Sequence, residues 1–196
     1  IRSLFGSALK TNPALEFSVI TGCLRISKES IFTGLNNLRT NTILSAKYSS
    51  QFGFTEDEVK DMLEYYALEE KTETIKRWYD GYLFGNTEIY NPWSIMNYVE
   101  DLNIDPNDVP KANWINTSSN SIIRSLIERS DDETKAIIEK LMHGGSIKTY
   151  VKETITYGDL EVSNDNIWSF LLFTGYLKVK SFEFIGNKYM YELVIP

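Results

Sequence analysis

Eight consecutive residues, Phe17-Ser18-Val19-Ile20-Thr21-Gly22-Cys23-Leu24, carry few polar side chains and lean toward β-branched types. A run of this length and type predicts a strand buried on both faces, because a half-solvated strand would alternate apolar with polar residues. Such a strand needs neighbours, and the surrounding sequence offers no second candidate. The expectation is therefore a strand whose sheet partners lie upstream of Ile1, in a chain that is part of something larger.

The rest of the chain reads mainly as helix. Arg2 to Thr11 places Leu4, Phe5, Ala8 and Leu9 at helical spacing before Asn12-Pro13 ends the pattern. Ser27 to Leu38 reads as a short helix, and residues 39–54 as irregular. Thr55-Glu56-Asp57-Glu58 is a capping box, followed by Val59, Met62, Leu63 and Tyr66 on one face. A helix through Ile75, Trp78 and Tyr79 is expected to end at Asp80-Gly81, with the glycine as a left-handed cap. Tyr82 to Tyr90 alternates around Gly85-Asn86 as a hairpin, and Asn91-Pro92 opens the next helix. Pro106 and Pro110 mark a loop. Two further helices follow, the second opened by Ser130-Asp131-Asp132-Glu133 as a capping box and closed by Gly144-Gly145. A last helix through Ile167, Trp168, Leu171 and Leu172 stops at Gly175. Two alternating strands then flank Gly186-Asn187, and a helix followed by such a hairpin is the back half of a winged helix.

Composition narrows the chemistry. Twenty Lys and Arg against 27 Asp and Glu give a net charge of −7, which opposes broad binding to a phosphate backbone. The longest apolar runs are far too short to span a bilayer. The single cysteine, Cys23, cannot form an internal disulfide, so a cytoplasmic setting is expected. No metal site is expected, and Cys23 reads as a core thiol. The acids from Glu56 to Glu73 fall opposite the apolar face of their helix and read as a solvated surface. His143, the one histidine, sits in a last helical turn and reads as a capping group. No Gly-x-x-x-x-Gly-Lys-Ser/Thr loop is present, so these residues cannot by themselves cradle nucleotide phosphates.

Two places could carry function. Thr21-Gly22 and Arg25 fall at the carboxyl end of the expected strand, where open α/β sheets bind ligands; the alternative is an Arg25 paired with Glu29 on the surface. Trp78-Tyr79-Asp80-Gly81-Tyr82 and Asn91-Pro92-Trp93-Ser94 form either an aromatic helix junction or a pocket whose rings pack on a planar base.

These residues also carry a family likeness. Thr21-Gly22-Cys23-Leu24-Arg25-Ile26-Ser27-Lys28-Glu29-Ser30-Ile31-Phe32 resembles the predicted AAA-type ATPase-like family of microbial proteins. So do Asn36-Asn37-Leu38, Phe52-Gly53-Phe54-Thr55, Trp78-Tyr79-Asp80-Gly81-Tyr82 and Tyr90-Asn91-Pro92-Trp93-Ser94. Trp114-x-Asn116-Thr117-Ser118 and Leu172-Phe173-Thr174-Gly175-Tyr176-Leu177 complete the set, in family order over nearly the whole chain.

The resemblance implies a P-loop ATPase of the archaeal-ATPase and signal-transducing kind, with a nucleotide-binding core, a helical lid and a winged helix. An α+β fold, mainly α, follows from it. Residues 1–45 would end the nucleotide-binding core, 46–160 would form the lid, and 161–196 the winged helix. The phosphate loop and metal-binding acids would lie upstream, and a PD-(D/E)XK nuclease-like domain downstream in many relatives. By the same resemblance Thr21 and Arg25 fall where such ATPases sense the γ-phosphate. Tyr90-Asn91-Pro92 falls where relatives set a glycine-proline motif against adenine, here with asparagine in place of glycine. ATP and Mg are then expected in the parent protein and neither in this segment, which is not expected to hydrolyse ATP alone. The expected partners are the upstream core and the downstream domain. The alternative is a winged-helix module that binds protein or DNA without a nucleotide, with Lys178, Lys180 and Lys188 as its basic strip. The acidity of the chain favours protein.

Overall fold

A computed structural model of the chain describes residues 2–10, 12–22, 39–113, 121–155, 159–160, 163 and 166–196. The fold is mixed α+β: seven helices and two small antiparallel sheets among the described residues. No helix among them is long and apolar enough to cross a membrane.

After α1 (Arg2–Leu9), residues 12–54 contain no regular element among those described. Over its described part the expected strand at Phe17–Leu24 is not formed: residues 17–22 run irregularly, with Phe17 78% and Val19 70% exposed. The physical reason is that no layer among the described residues covers it. An apolar run becomes a core strand only where other elements cover both of its faces, and no described element does so here. Cys23, Leu24, Arg25 and the expected helix at Ser27–Leu38 lie outside the described residues.

Residues 43–54 fold back onto the hairpin that follows. Gly85 N–H donates to the Ile43 carbonyl at 2.8 Å, and Phe54 and Tyr90 exchange backbone hydrogen bonds. Helix α2 (Glu56–Tyr65) then starts on the expected capping box. The Thr55 hydroxyl accepts from Glu58 N–H, and the Glu58 carboxylate accepts from Thr55 N–H at 2.8 Å. A short 3-10 turn, Glu69–Lys71, leads into α3 (Thr72–Tyr79).

Helix α3 does not end on a left-handed glycine. Its C-cap is Asp80, in extended conformation, and the chain passes straight into β1 (Asp80–Phe84). Strand β1 pairs with β2 (Thr87–Tyr90) through a turn whose Gly85 has φ +53°. Asn91 caps α4 (Pro92–Ile104) by accepting from Ser94 N–H, with Pro92 at the first helical position. Val59, Leu63, Ile75, Tyr79, Tyr90, Ile95, Tyr98 and Leu102 close the first core between these elements. Two tyrosines fasten the loop beyond α4. The Tyr79 hydroxyl donates to the Lys111 carbonyl and accepts from Lys111 N–H, each at 3.0 Å, and Tyr98 reaches the Asp108 carbonyl.

The second core belongs to the C-terminal part. Helix α5 is Ser121–Arg129 and α6 is Asp132–Met142. The cap of α6 is Asp131, which accepts from Thr134 N–H at 2.8 Å, and not the expected Ser130, whose hydroxyl instead donates to the Leu126 carbonyl of α5. A serine bound back to the preceding helix is no longer available as a cap, and the carboxylate next to it takes that place. His143 ends α6, its Nδ1 2.8 Å from the Glu139 carbonyl, and Gly144 follows at φ +81°.

Strand β3 (Ile147–Tyr150) was not expected. It pairs with β5 (Lys188–Val194), which also pairs with β4 (Lys178–Ile185), so the strand order is β3-β5-β4. This sheet crosses the expected boundary at residue 160. Helix α7 (Asn166–Phe173) packs on it, burying Ile167, Trp168, Leu171 and Leu172 against Leu177, Val179 and Leu193. Each such side chain, fully buried, contributes about 1.5–3 kcal/mol of apolar transfer energy.

Candidate functional site

Strand β1 and the end of α7 build a joint between the two cores, and two of the stretches that carry the family resemblance, residues 78–82 and 172–177, supply it. The first stretch begins with Trp78 half-exposed and Tyr79 buried on α3. In the hairpin Asp80 pairs with Tyr90 but Tyr82 pairs with Ile89, so Gly81 is an extra, bulged residue. A bulge turns the following side chain away from the regular alternation. That turn aims Tyr82 out of its own hairpin.

The second stretch ends α7 in a Schellman motif. Tyr176 N–H donates to the Leu171 carbonyl at 2.8 Å and Gly175 N–H to the Leu172 carbonyl at 3.2 Å. Gly175 adopts φ +84°, a conformation that favours glycine. Its own carbonyl accepts the Tyr82 hydroxyl at 3.0 Å across 93 residues of sequence. A Cβ on Gly175 would lie 3.5 Å from that hydroxyl. Burial pushes the Tyr82 phenol up, so the group is a neutral donor at any physiological pH. Two further contacts flank the bond: Lys178 Nζ reaches the Asp80 carbonyl at 3.4 Å, and Gly81 lies against Pro196.

Thr21 is exposed on the irregular segment, and Arg25 lies outside the described residues. Tyr90 is a core residue, 2% exposed, its phenol pushed up to about 12 by burial and then by the Asp80 and Glu56 carboxylates. The Asn91 carboxamide is engaged as a helix cap, while Pro92 is exposed. An open depression of about 430 Å³ lies along α3, lined by Glu73, Thr74, Lys76 and Arg77. Lys76 there is paired with Glu56 at 3.3 Å, and a carboxylate shares the lining, so these four side chains do not make a phosphate cradle. Among the described residues no three His, Cys, Asp or Glu side chains come together as metal ligands.

The lysines of the C-terminal sheet are committed as well. Lys180 pairs with Glu192 and Lys148 with Glu183, each at 3.0 Å, and Lys188 sits 5.8 Å from the centre of the Tyr150 ring. Glu192 is held down to about 2 by hydrogen bonds from Ser146, Lys180 and Ser181. A carboxylate whose folded value lies below its ordinary 4.5 stabilises the fold fully above that value and less as the pH falls toward 2. The expected result is a urea midpoint that drops more steeply between about pH 5 and pH 2 in the wild type than in Glu192→Gln, the difference between them isolating this one carboxylate.

No family model matches the chain, and no solved structure matches it. A protein of Azotobacter chroococcum mcd 1, described as an uncharacterized protein in the vnfD 5′ region, is 22% identical over all 196 residues. The chain spans 35% of that protein's length. At this level of identity the likeness runs the full length of the chain without assigning it to a family.

Proposed function

We propose that this chain is the lid and winged-helix portion of a nucleotide-dependent switch of the AAA-type ATPase-like kind that its motifs resemble. One observation carries the reading: Trp78-Tyr79-Asp80-Gly81-Tyr82 and Leu172-Phe173-Thr174-Gly175-Tyr176-Leu177 meet in the Tyr82–Gly175 hydrogen bond. Two stretches so far apart in sequence have a shared task if that task is to couple the helical layer to the sheet. The strand order β3-β5-β4, with α6 before β3 and α7 before β4, supports a winged helix at this end. Thr21 and Arg25 keep the part that the resemblance implies, beside the γ-phosphate.

In this reading ATP and Mg are held by the upstream core of the parent protein, as the resemblance implies, and no step of hydrolysis is assigned to the residues described. What they do is mechanical. A closure felt by the helical layer reaches the sheet through this half-buried hydrogen bond, whose phenol donor is neutral at physiological pH.

The test uses the longest reading frame that contains these residues. Arg25→Ala is expected to lower ATP hydrolysis about a hundredfold while nucleotide binding persists, the scale of losing one charge-stabilising group. An unchanged rate removes Arg25 from the mechanism, and a frame that binds no ATP removes the switch.

A further inference from the structure

We propose that the outer edge of β4, over Ser181–Ile185, takes up an extended, basic segment of a partner protein as an additional strand. The inference stands apart from any nucleotide. Among the described residues, the hydrogen-bonded neighbour of β4 is β5 alone. An open edge presents unpaired backbone groups and is ordinarily guarded by lysine, proline or an inward charge. Ser181-Phe182-Glu183-Phe184-Ile185 has no lysine or proline, its one charge, Glu183, is exposed, the register irregularity between Val179 and Ser181 lies before it, and the neighbouring Lys180 is tied to Glu192.

The side chains on one face extend the invitation. Phe182 opposes Tyr191 and Phe184 opposes Tyr189, with ring centres 6.0 and 5.1 Å apart. Phe182, Phe184 and Tyr189 are each about half exposed or more. An added strand would set alternate side chains directly over Phe182 and Phe184, so those must be apolar. The residue between them would face Glu183, which is 52% exposed and, among the described residues, is held by a surface pair with Lys148. Cross-strand neighbours lie about 5 Å apart, so a lysine or arginine there meets Glu183 directly. The net charge of −7 draws such a segment in.

A second copy of the chain fits less well. Covering three half-exposed rings buries roughly 300 Å² per copy, against about 800 Å² per partner in a stable interface. It would also bring −7 against −7. Nucleic acid fits less well again, since Lys148 and Lys180 are paired with carboxylates and Lys188 is engaged by a ring.

The test measures fluorescence anisotropy with a labelled eight-residue peptide alternating valine and arginine. Two analogues accompany it, one with glutamate for arginine and one with N-methyl groups on alternate backbone amides. The first peptide is expected to bind, and both analogues at least about tenfold more weakly; Glu183→Lys should reverse the preference between arginine and glutamate. Binding that survives N-methylation overturns strand addition without requiring any variant to fold. A preference unmoved by Glu183→Lys removes the charge pairing. A dimer that Phe184→Ser dissociates overturns the choice of a partner protein, as does a duplex-DNA mobility shift that Lys180→Ala abolishes.

Discussion

Gly53→Ala is expected to destabilise the protein by about 4 kcal/mol, the sum of backbone strain and overpacking at one position. Gly53 has φ +136°, in territory that side chains rarely enter. A Cβ built there would lie 2.2 Å from Ile89 Cγ2 and 3.1 Å from the Tyr90 carbonyl oxygen. Ile89 is itself 2% exposed and has no room to retreat. Gly144 supplies the control, because it has φ +81° but nothing within 4 Å of its missing Cβ. Gly144→Ala therefore reports the conformational cost alone, about 1 kcal/mol. Urea denaturation of both variants separates strain from collision. Equal losses would mean that the 39–54 segment is not pressed against the hairpin as described.

Leu193→Ala is expected to cost about 3 kcal/mol, within the range for emptying a leucine-sized space in a packed core. Leu193 is fully buried on the central strand, opposite Ile147 of β3 and Val179 of β4, so its removal leaves a void that two strands border. For a chain of this length the corresponding fall in Tm is roughly 6–12 °C. A thermal scan decides the matter. A fall below about 2 °C, corresponding to less than about 1 kcal/mol, would show that the three-stranded sheet does not share one core with α7.

The parts of the fold that could be read from the sequence are those governed by neighbouring residues. Thr55 and Glu58 stand three apart and satisfy each other, Asn91-Pro92 caps and opens α4, and Gly186-Asn187 turns a hairpin. What escaped depends on distant partners. Strand β3 offers a single inward aliphatic side chain, Ile147, and becomes a strand only because β5, some forty residues later, pairs with it. The bulge at Gly81 is a property of two strands in register and is invisible in either one alone. Phe17 to Ile20 misled for the complementary reason: an apolar run announces a wish for burial, and burial is granted by whatever surrounds it. The joint itself was half legible. Asp80-Gly81-Tyr82 and Thr174-Gly175-Tyr176 repeat a Gly-Tyr pair at the end of an aromatic helix, but only the structure shows that the first tyrosine binds the second glycine.

That Tyr82–Gly175 bond has a consequence for how the molecule assembles. Closing a loop of 93 residues sacrifices chain entropy before any contact compensates for it, and non-local closures of this sort are slow compared with the growth of a helix. The α2–α4 layer, whose partners are close in sequence, should become protected from hydrogen exchange during refolding well before Leu193 does. The hydroxyl of Tyr82 would then be among the last groups to find its acceptor.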